Sequence, residues 1–265
     1  MLVPFNELVD LSDETGQSPI ILHVPHGGTR IPPCVRDQFV LGDAALSAEQ
    51  GALVDHATDT IARQALAVFQ VSAVINGLSR LVVDVERFDD PSEEKNAVGM
   101  GVLYTHGADR QPIRNLPADS SPLMQFYNDY AATMIRLTEQ ALAHHGHALI
   151  VDVHSYPTKP QGHELHTDEP RPELCVGFED FHCSPELREN VRAAFAEFGQ
   201  GDNQTFHGSY VPLPYYRNDP RVQSVMLEIR RDQYLDEKSV RPDRKRVGQL
   251  SAALVQLIQS CSQRA

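Results

Sequence analysis

Short apolar runs alternate with longer amphipathic stretches along this chain, and that alternation leaves few architectures open. Residues 19–24 (PIILHV), 71–75, 81–85 (LVVDV), 148–153 (ALIVDV), 173–178 (ELCVGF) and 223–229 (QSVMLEI) read as buried strands. The spacing of Leu53, Ile61, Leu66 and Val68 predicts a helix over 47–69. The longest amphipathic helix is expected over 122–144, with Ser121 as N-cap, Pro122 at the first helical position and Gly146 closing it. Residues 185–198 and 242–260 read as two more helices. Strands apolar on both faces and separated by helices imply an α/β sheet covered on both sides. In such sheets, ligands bind outside the C-terminal ends of parallel strands. Polar residues collect at those ends: His26 in the PHGGTRIP loop, Glu86 and Arg87 after LVVDV, His154 after ALIVDV, and Glu228 late in QSVMLEI.

Composition narrows the function classes. The 265 residues, 41% of them apolar, are enough for a sizeable core, and no stretch reads as a linker, so residues 1–265 are expected to form a single domain. A formal net charge of -13 argues against nucleic acid as a partner, because an acidic surface repels phosphates. No apolar segment is long enough to span a bilayer, and the MLVPFNELVDLSDETGQ start lacks the basic-then-apolar pattern of a signal peptide. A cytoplasmic protein with no membrane partner is the expectation. The cysteines Cys34, Cys175, Cys183 and Cys261 form no C-x-x-C pair and no disulfide framework.

Two histidines at strand ends point to metal chemistry. Neutral imidazole suits zinc, and a catalytic zinc typically has three His or carboxylate ligands plus a water. His26 and His154 occupy equivalent strand-end positions. In V-D-V-H, Asp152 and His154 share one face of a strand, which suits Asp152 as the carboxylate that orients the His154 ring.

The blocks PHGGTRIP, SRLVVDVERF, HGHALIVDVHSYP, PELCVGFEDFHCS and VMLEI, in this order, resemble the signature blocks of the N-formylglutamate amidohydrolase family, a relative of the zinc carboxypeptidases. The resemblance runs from about residue 19 to about residue 235. It implies a mixed, mostly parallel central sheet with helices on both faces, of the phosphorylase/hydrolase-like zinc-carboxypeptidase type. It also implies one zinc ion at the strand ends and a small-molecule N-formyl or N-acyl amino acid as substrate. In the wider superfamily the first ligand opens an H-x-x-E motif, whereas here H-G-G-T places Thr29, a poor zinc ligand, where the carboxylate would stand. Thr29 is therefore expected to face substrate instead.

The segment L-V-D-H-A-T-D-T-I resembles the family's stretch with two aspartates four residues apart. Asp55 is the expected third ligand and Asp59 the reserve, both on one helix face, with His56 at the surface. By the same resemblance Glu228 is the catalytic glutamate that takes a proton from the attacking water. The alternative for Glu228 is an ion pair with Arg230 or Arg231. Arg87, then Arg80, are the expected carboxylate clamps, with pairing to Asp84 or Asp89 as the alternative.

Two departures fall at the substrate end. The family's D-L-N-R reads D-V-E-R here, so Glu86 replaces an amide that would bind substrate; a carboxylate there favours an amine or hydroxyl on the substrate and repels an acidic one. In F-H-G-S-Y-V-P-L-P-Y-Y, Leu213 stands near the family's arginine, so either Arg217 substitutes or that clamp is absent. Tyr210, Tyr215 and Tyr216 either line a pocket or pack, and His207 reads as a turn residue. Two other readings stay open: a metal-free binding or regulatory protein on the same scaffold, and a serine hydrolase using Ser155, which lacks the G-x-S-x-G elbow.

Overall fold

Strand β2 (Ile20–Val24) is buried at every position, as a strand apolar on both faces requires, and it lies near the middle of a seven-stranded sheet. The computed structural model describes residues 4–12, 16–165 and 167–262. Residues 1–3 and 13–15 of the N-terminal stretch, residue 166, and residues 263–265 past the last helix lie outside it. In chain order the elements are α1 (Phe5–Leu8), β1 (Val9–Ser12), β2, α2 (Pro33–Arg36), α3 (Asp43–Leu53), α4 (Thr58–Leu66), β3 (Ser72–Asn76), α5 (Ser121–His145) and β4 (Ala148–Tyr156). They continue with β5 (Leu174–Gly177), α6 (Pro185–Ala194), β6 (Gln200–Asp202), β7 (Val222–Arg230), β8 (Leu235–Asp236), β9 (Arg241–Pro242) and α7 (Arg244–Ser262).

The sheet order is β1-β3-β2-β4-β7-β5-β6. The central strands β3, β2, β4 and β7 are parallel. The antiparallel pairings lie outside them, where β1 joins β3 and β5 joins β7. The expected mixed, mostly parallel sheet is therefore present.

Alternation along each strand splits the core in two. Ile20, Leu22, Leu149, Val151, Val153, Val225 and Leu227 pack under α4, α6 and α7. Ile21, Ile150 and Val222 face the other way, toward α3, α5 and the long segment after β3. His23, Asp152, His154 and Glu228 share the second parity, so the polar groups of interest fall on the α5 side. Among the described residues, no helix is long and apolar enough to cross a membrane.

Three expectations need correction. The helix predicted over 47–69 is two helices, α3 and α4, broken at residues 54–57, where Val54 is extended and Ala57 takes a φ of 62°. The apolar run 81–85 is not a strand. It turns, with the Val82 N–H bonded to the Ser79 carbonyl, and the buried Arg114 guanidinium donates to the Leu81 and Val82 carbonyls in place of a neighbouring strand. Strand β4 continues through Tyr156, so His154 lies inside the strand rather than in a break after it. Helix ends also shift. Ser121 enters the first turn of α5, with its N–H taken by Asp119, and α7 starts beyond Pro242, with Asp243 accepting from the Lys245 and Arg246 N–H groups.

Gly28 holds the loop after β2 against the end of β3. A Cβ at this position would lie 2.3 Å from the Gly77 carbonyl carbon and 2.6 Å from the Asn76 carbonyl oxygen. Backbone atoms cannot give way as a flexible side chain does. Gly28→Ala is expected to cost about 2 kcal/mol, within the range for overpacking, and to lower Tm by about 4–8 °C. A thermal melt checks this, and an unchanged Tm would show that the loop has room to move.

A candidate metal centre and its cavity

Strand register brings the site together before any side chain is considered. The β4–β7 ladder pairs His154 with Glu228, and the β2–β4 ladder pairs His23 with Asp152. His26 lies two residues past β2, in a loop tied down by Asn76, whose Nδ2 donates to the Pro25 carbonyl. Asp55 arrives from the break between α3 and α4. Its N–H donates to the His26 carbonyl at 3.0 Å, and Thr58 Oγ1 donates to its own carbonyl at 2.7 Å. The break that separates the two helices is thus what delivers Asp55 to His26.

His26, Asp55 and His154 form a buried group that could hold a metal ion. The Nδ1 atoms of His26 and His154 are 3.3 Å apart. Asp55 Oδ2 is 3.2 Å from His154 Nδ1 and 3.8 Å from His26 Nδ1. A tetrahedral ion with ligand distances of about 2.0–2.2 Å separates its ligand atoms by about 3.3–3.6 Å. The remote nitrogens are also engaged. His26 Nε2 donates to Asp84 Oδ1 and His154 Nε2 to Asp152 Oδ1, each at 2.9 Å. With the ring proton on Nε2, each Nδ1 presents a lone pair to the centre, and two lone pairs at 3.3 Å repel unless a proton or cation lies between them.

The electrostatics favour positive charge there. Burial pulls the His154 pKa down, but Asp152 and Glu86 outweigh it and raise it well above the ordinary value. The field that draws a proton onto His154 draws a metal cation equally. Burial and the Arg80 charge keep His26 below its ordinary value, in the neutral form a ligand needs. Burial alone would raise Asp84, yet His26, Arg80 and Arg87 hold it well below the carboxylate range. For Glu228 the opposing pull of His154 and Arg80 does not make up for burial. Burial pushes its carboxyl up to about 8, and its Oε2 has no hydrogen-bond partner while the residue lines the cavity beside the cluster.

The cavity has a volume of 610 Å³ and is lined by Asp55, Arg80, Glu86, Arg87, His154 and Glu228, among others. Asp152 stands behind His154, with Oδ1 2.9 Å from Nε2. Thr29 does not belong here: it is exposed, absent from the lining, and its carbonyl accepts from Gln50. Asp59 sits on α4, 3.9 Å from Arg63, and shares no face with Asp55 because the helix is interrupted between them. His56 is half-buried rather than at the surface, with Nε2 3.3 Å from the Gly51 carbonyl. Arg80 reaches the cavity but is committed to Asp84 at 2.9 Å and to Tyr104. Arg87 is looser, 3.5 Å from Asp84, with no hydrogen bond at Nε. Arg217 forms a forked pair with Glu179 and does not stand in for the arginine missing at Leu213. Ser155 is buried on the opposite face of β4 from His154, whose ring nitrogens meet Asp152, Asp55 and His26 instead.

Two residues were overlooked in the sequence. Asp84 orients His26, and its only signal was its position between Arg80 and Arg87, which suggested an ion pair; it makes that pair and the histidine contact together. His23 is fully buried, with Nδ1 2.9 Å from the same Asp152 oxygen that meets His154 and 3.5 Å from Glu86. It was masked by the apolar run that carries it. His23, Glu86 and Asp152 form a second cluster with ligand-type atoms close together.

Comparison with known proteins gives a consistent picture. The N-formylglutamate amidohydrolase family matches residues 18–235. An N-formylglutamate deformylase of Pseudomonas putida is 26% identical over 243 residues, covering 86% of this chain and 85% of that protein. One from Pseudomonas aeruginosa is 28% identical over 243 residues, with 86% of each chain covered. The crystal structure of an N-formylglutamate amidohydrolase from Ralstonia eutropha superposes with a TM-score of 0.80 at 20% identity, covering 97% of this chain and 99% of that one.

Proposed function

The chain belongs to the N-formylglutamate amidohydrolase family, and from that premise we propose that it is a zinc-dependent hydrolase cleaving the amide bond of an N-formyl or N-acyl amino acid. The observation that carries the metal is the His26–Asp55–His154 group, three buried donor atoms 3.2–3.8 Å apart with a carboxylate behind each imidazole. Donors of this type suit zinc, and all three residues line the cavity, from which a water or substrate oxygen would complete the set. The relatives named N-formylglutamate deformylase support the reaction class.

When bound, zinc supplies Lewis acidity, which makes water nucleophilic near neutral pH and polarises the amide carbonyl. The chain's own groups handle protons and position. Glu228, buried and unpartnered at Oε2, takes a proton from the attacking water and delivers it to the leaving nitrogen. Hydroxyl goes to the acyl carbon, the C–N bond breaks, and the products are a carboxylic acid and the free amino acid. Asp84 and Asp152 hold the His26 and His154 rings in one tautomer, so the donor atoms stay aimed at the centre. Arg87 binds the substrate α-carboxylate with the donors it does not commit to Asp84.

Metal removal tests the proposal. The purified protein is expected to carry about one zinc per chain, to lose hydrolysis of N-formyl amino acids on chelation and to regain it with added zinc. A protein with less than about a tenth of a zinc per chain, and no activation by added metal, is a binding protein on this scaffold and not the hydrolase described here.

A further inference from the structure

Resting on the amidohydrolase reading above, we propose that the cavity selects N-formyl amino acids with one carboxylate and a large apolar side chain, of the leucine, methionine or phenylalanine kind, over N-formylglutamate. Phe88, Leu165 and Leu213 are among the few large apolar side chains the described surface leaves exposed, at 45%, 39% and 66%, and all three line this one cavity. Such side chains scattered singly mean little, but gathered around one mouth they mark a place where an apolar group is expected. Tyr127, Phe206 and Met226 continue the same lining inward.

The charges agree. Along the lining, acidic side chains outnumber basic ones. Of the basic groups, Arg80 is tied to Asp84, Arg231 to Ala52 and Asp55, and Lys95 to the His163 carbonyl at 3.2 Å. Arg87 is the arginine with donors to spare, so one substrate carboxylate is served and a second is not. Glu86, 3.3 Å from His154 and 3.5 Å from His26, adds negative charge near the reacting end. Arg217 is held by Glu179, and Leu213 stands near the position where the family resemblance expects an arginine. The volume of 610 Å³ lies within the ~300–1,000 Å³ of sites for drug-sized ligands and admits a large apolar side chain.

The test separates selection from catalysis. Binding of N-formyl-leucine and N-formylglutamate is measured by calorimetry on the Glu228→Gln protein, and hydrolysis of both is measured on the wild type. N-formyl-leucine is expected to bind at least about tenfold more tightly, the effect of burying one leucine-sized side chain. Leu213→Arg in the same background is expected to narrow that preference by about tenfold or reverse it. Equal or tighter binding of N-formylglutamate overturns the inference, as does a preference unmoved by Leu213→Arg or no binding of either compound. Selective binding of N-formyl-leucine without hydrolysis of either compound supports the inference and overturns the amidohydrolase reading instead.

Discussion

His154→Ala is expected to reduce amide hydrolysis by at least about 10³-fold and to leave the purified protein without stoichiometric zinc. His154 Nδ1 is the donor atom closest to both others, 3.3 Å from His26 Nδ1 and 3.2 Å from Asp55 Oδ2. Without it two donors remain, and a two-ligand site does not retain zinc at ordinary concentrations. The lost Lewis acid is worth several kcal/mol of barrier, and each 1.36 kcal/mol is a factor of ten. The alanine also leaves Asp152 without one of its two imidazole partners at the sheet's centre, so stability is measured alongside. Asp152→Asn provides the control. It keeps the shape but weakens the hydrogen bond that aims His154, and is expected to reduce zinc affinity by about 10–100-fold with smaller change in the fold. Zinc content by elemental analysis, chelator competition and turnover distinguish the two. If His154→Ala binds a full equivalent of zinc and hydrolyses normally, the centre lies elsewhere.

How much of this was legible in the sequence depends on the range of the forces involved. The strands of the sheet centre were readable, because a run such as Ile20–Val24 or Ala148–Tyr156 is buried on both faces and is mostly apolar. Asp152, His154 and Glu228 were readable because strand alternation sets which side chains share a face, and His26 because Pro25, Gly27 and Gly28 mark the loop at the end of its strand. Asp55, expected as the third ligand on a continuous helix, lies beside the histidines but in a break between two helices. That break is stabilised by a long-range bond from its N–H to the His26 carbonyl, which no local propensity encodes. Residues 81–85 have the composition of a strand, and only the distant Arg114 satisfies the Leu81 and Val82 carbonyls and lets them turn. Asp84 and His23 were hidden for the same reason, since their partners lie 58 and 129 residues away. The edge strands β1 and β6 are short and partly exposed, so their hydrophobic signal is weak.

Glu228→Gln is the substitution expected to separate catalysis from stability most cleanly. General acid–base catalysis contributes about 10²–10⁴-fold, so kcat is expected to fall by that factor while zinc content and substrate affinity stay near wild type. Stability moves in the opposite direction. Burial raises the folded-state pKa of Glu228 to about 8, against about 4.3 for a glutamate in the unfolded chain. Between those values the metal-free folded state holds a proton that the unfolded state has released. Stability from this group is therefore full below the unfolded pKa and declines as pH rises toward 8. Glutamine has the same shape and no charge to bury, so the metal-free variant at pH 8 is expected to melt at least about 2 °C above the wild type, the shift about 1 kcal/mol produces in a chain of this size. At pH 4 the two melts are expected to converge, because glutamate is then protonated, and uncharged like glutamine, in the unfolded state as well as the folded one. In the wild type the same ionisation gives kcat/KM an ascending acid limb with its midpoint above the ordinary glutamate value, and the variant lacks it. A structural glutamate, held only by ion pairing with Arg230 or Arg231, makes the opposite forecast: its loss destabilises the protein and leaves kcat nearly intact. The geometry already speaks against that role, since Arg230 pairs with Asp232, and Arg231 with Ser155, Ala52 and Asp55, while Glu228 Oε2 has no partner.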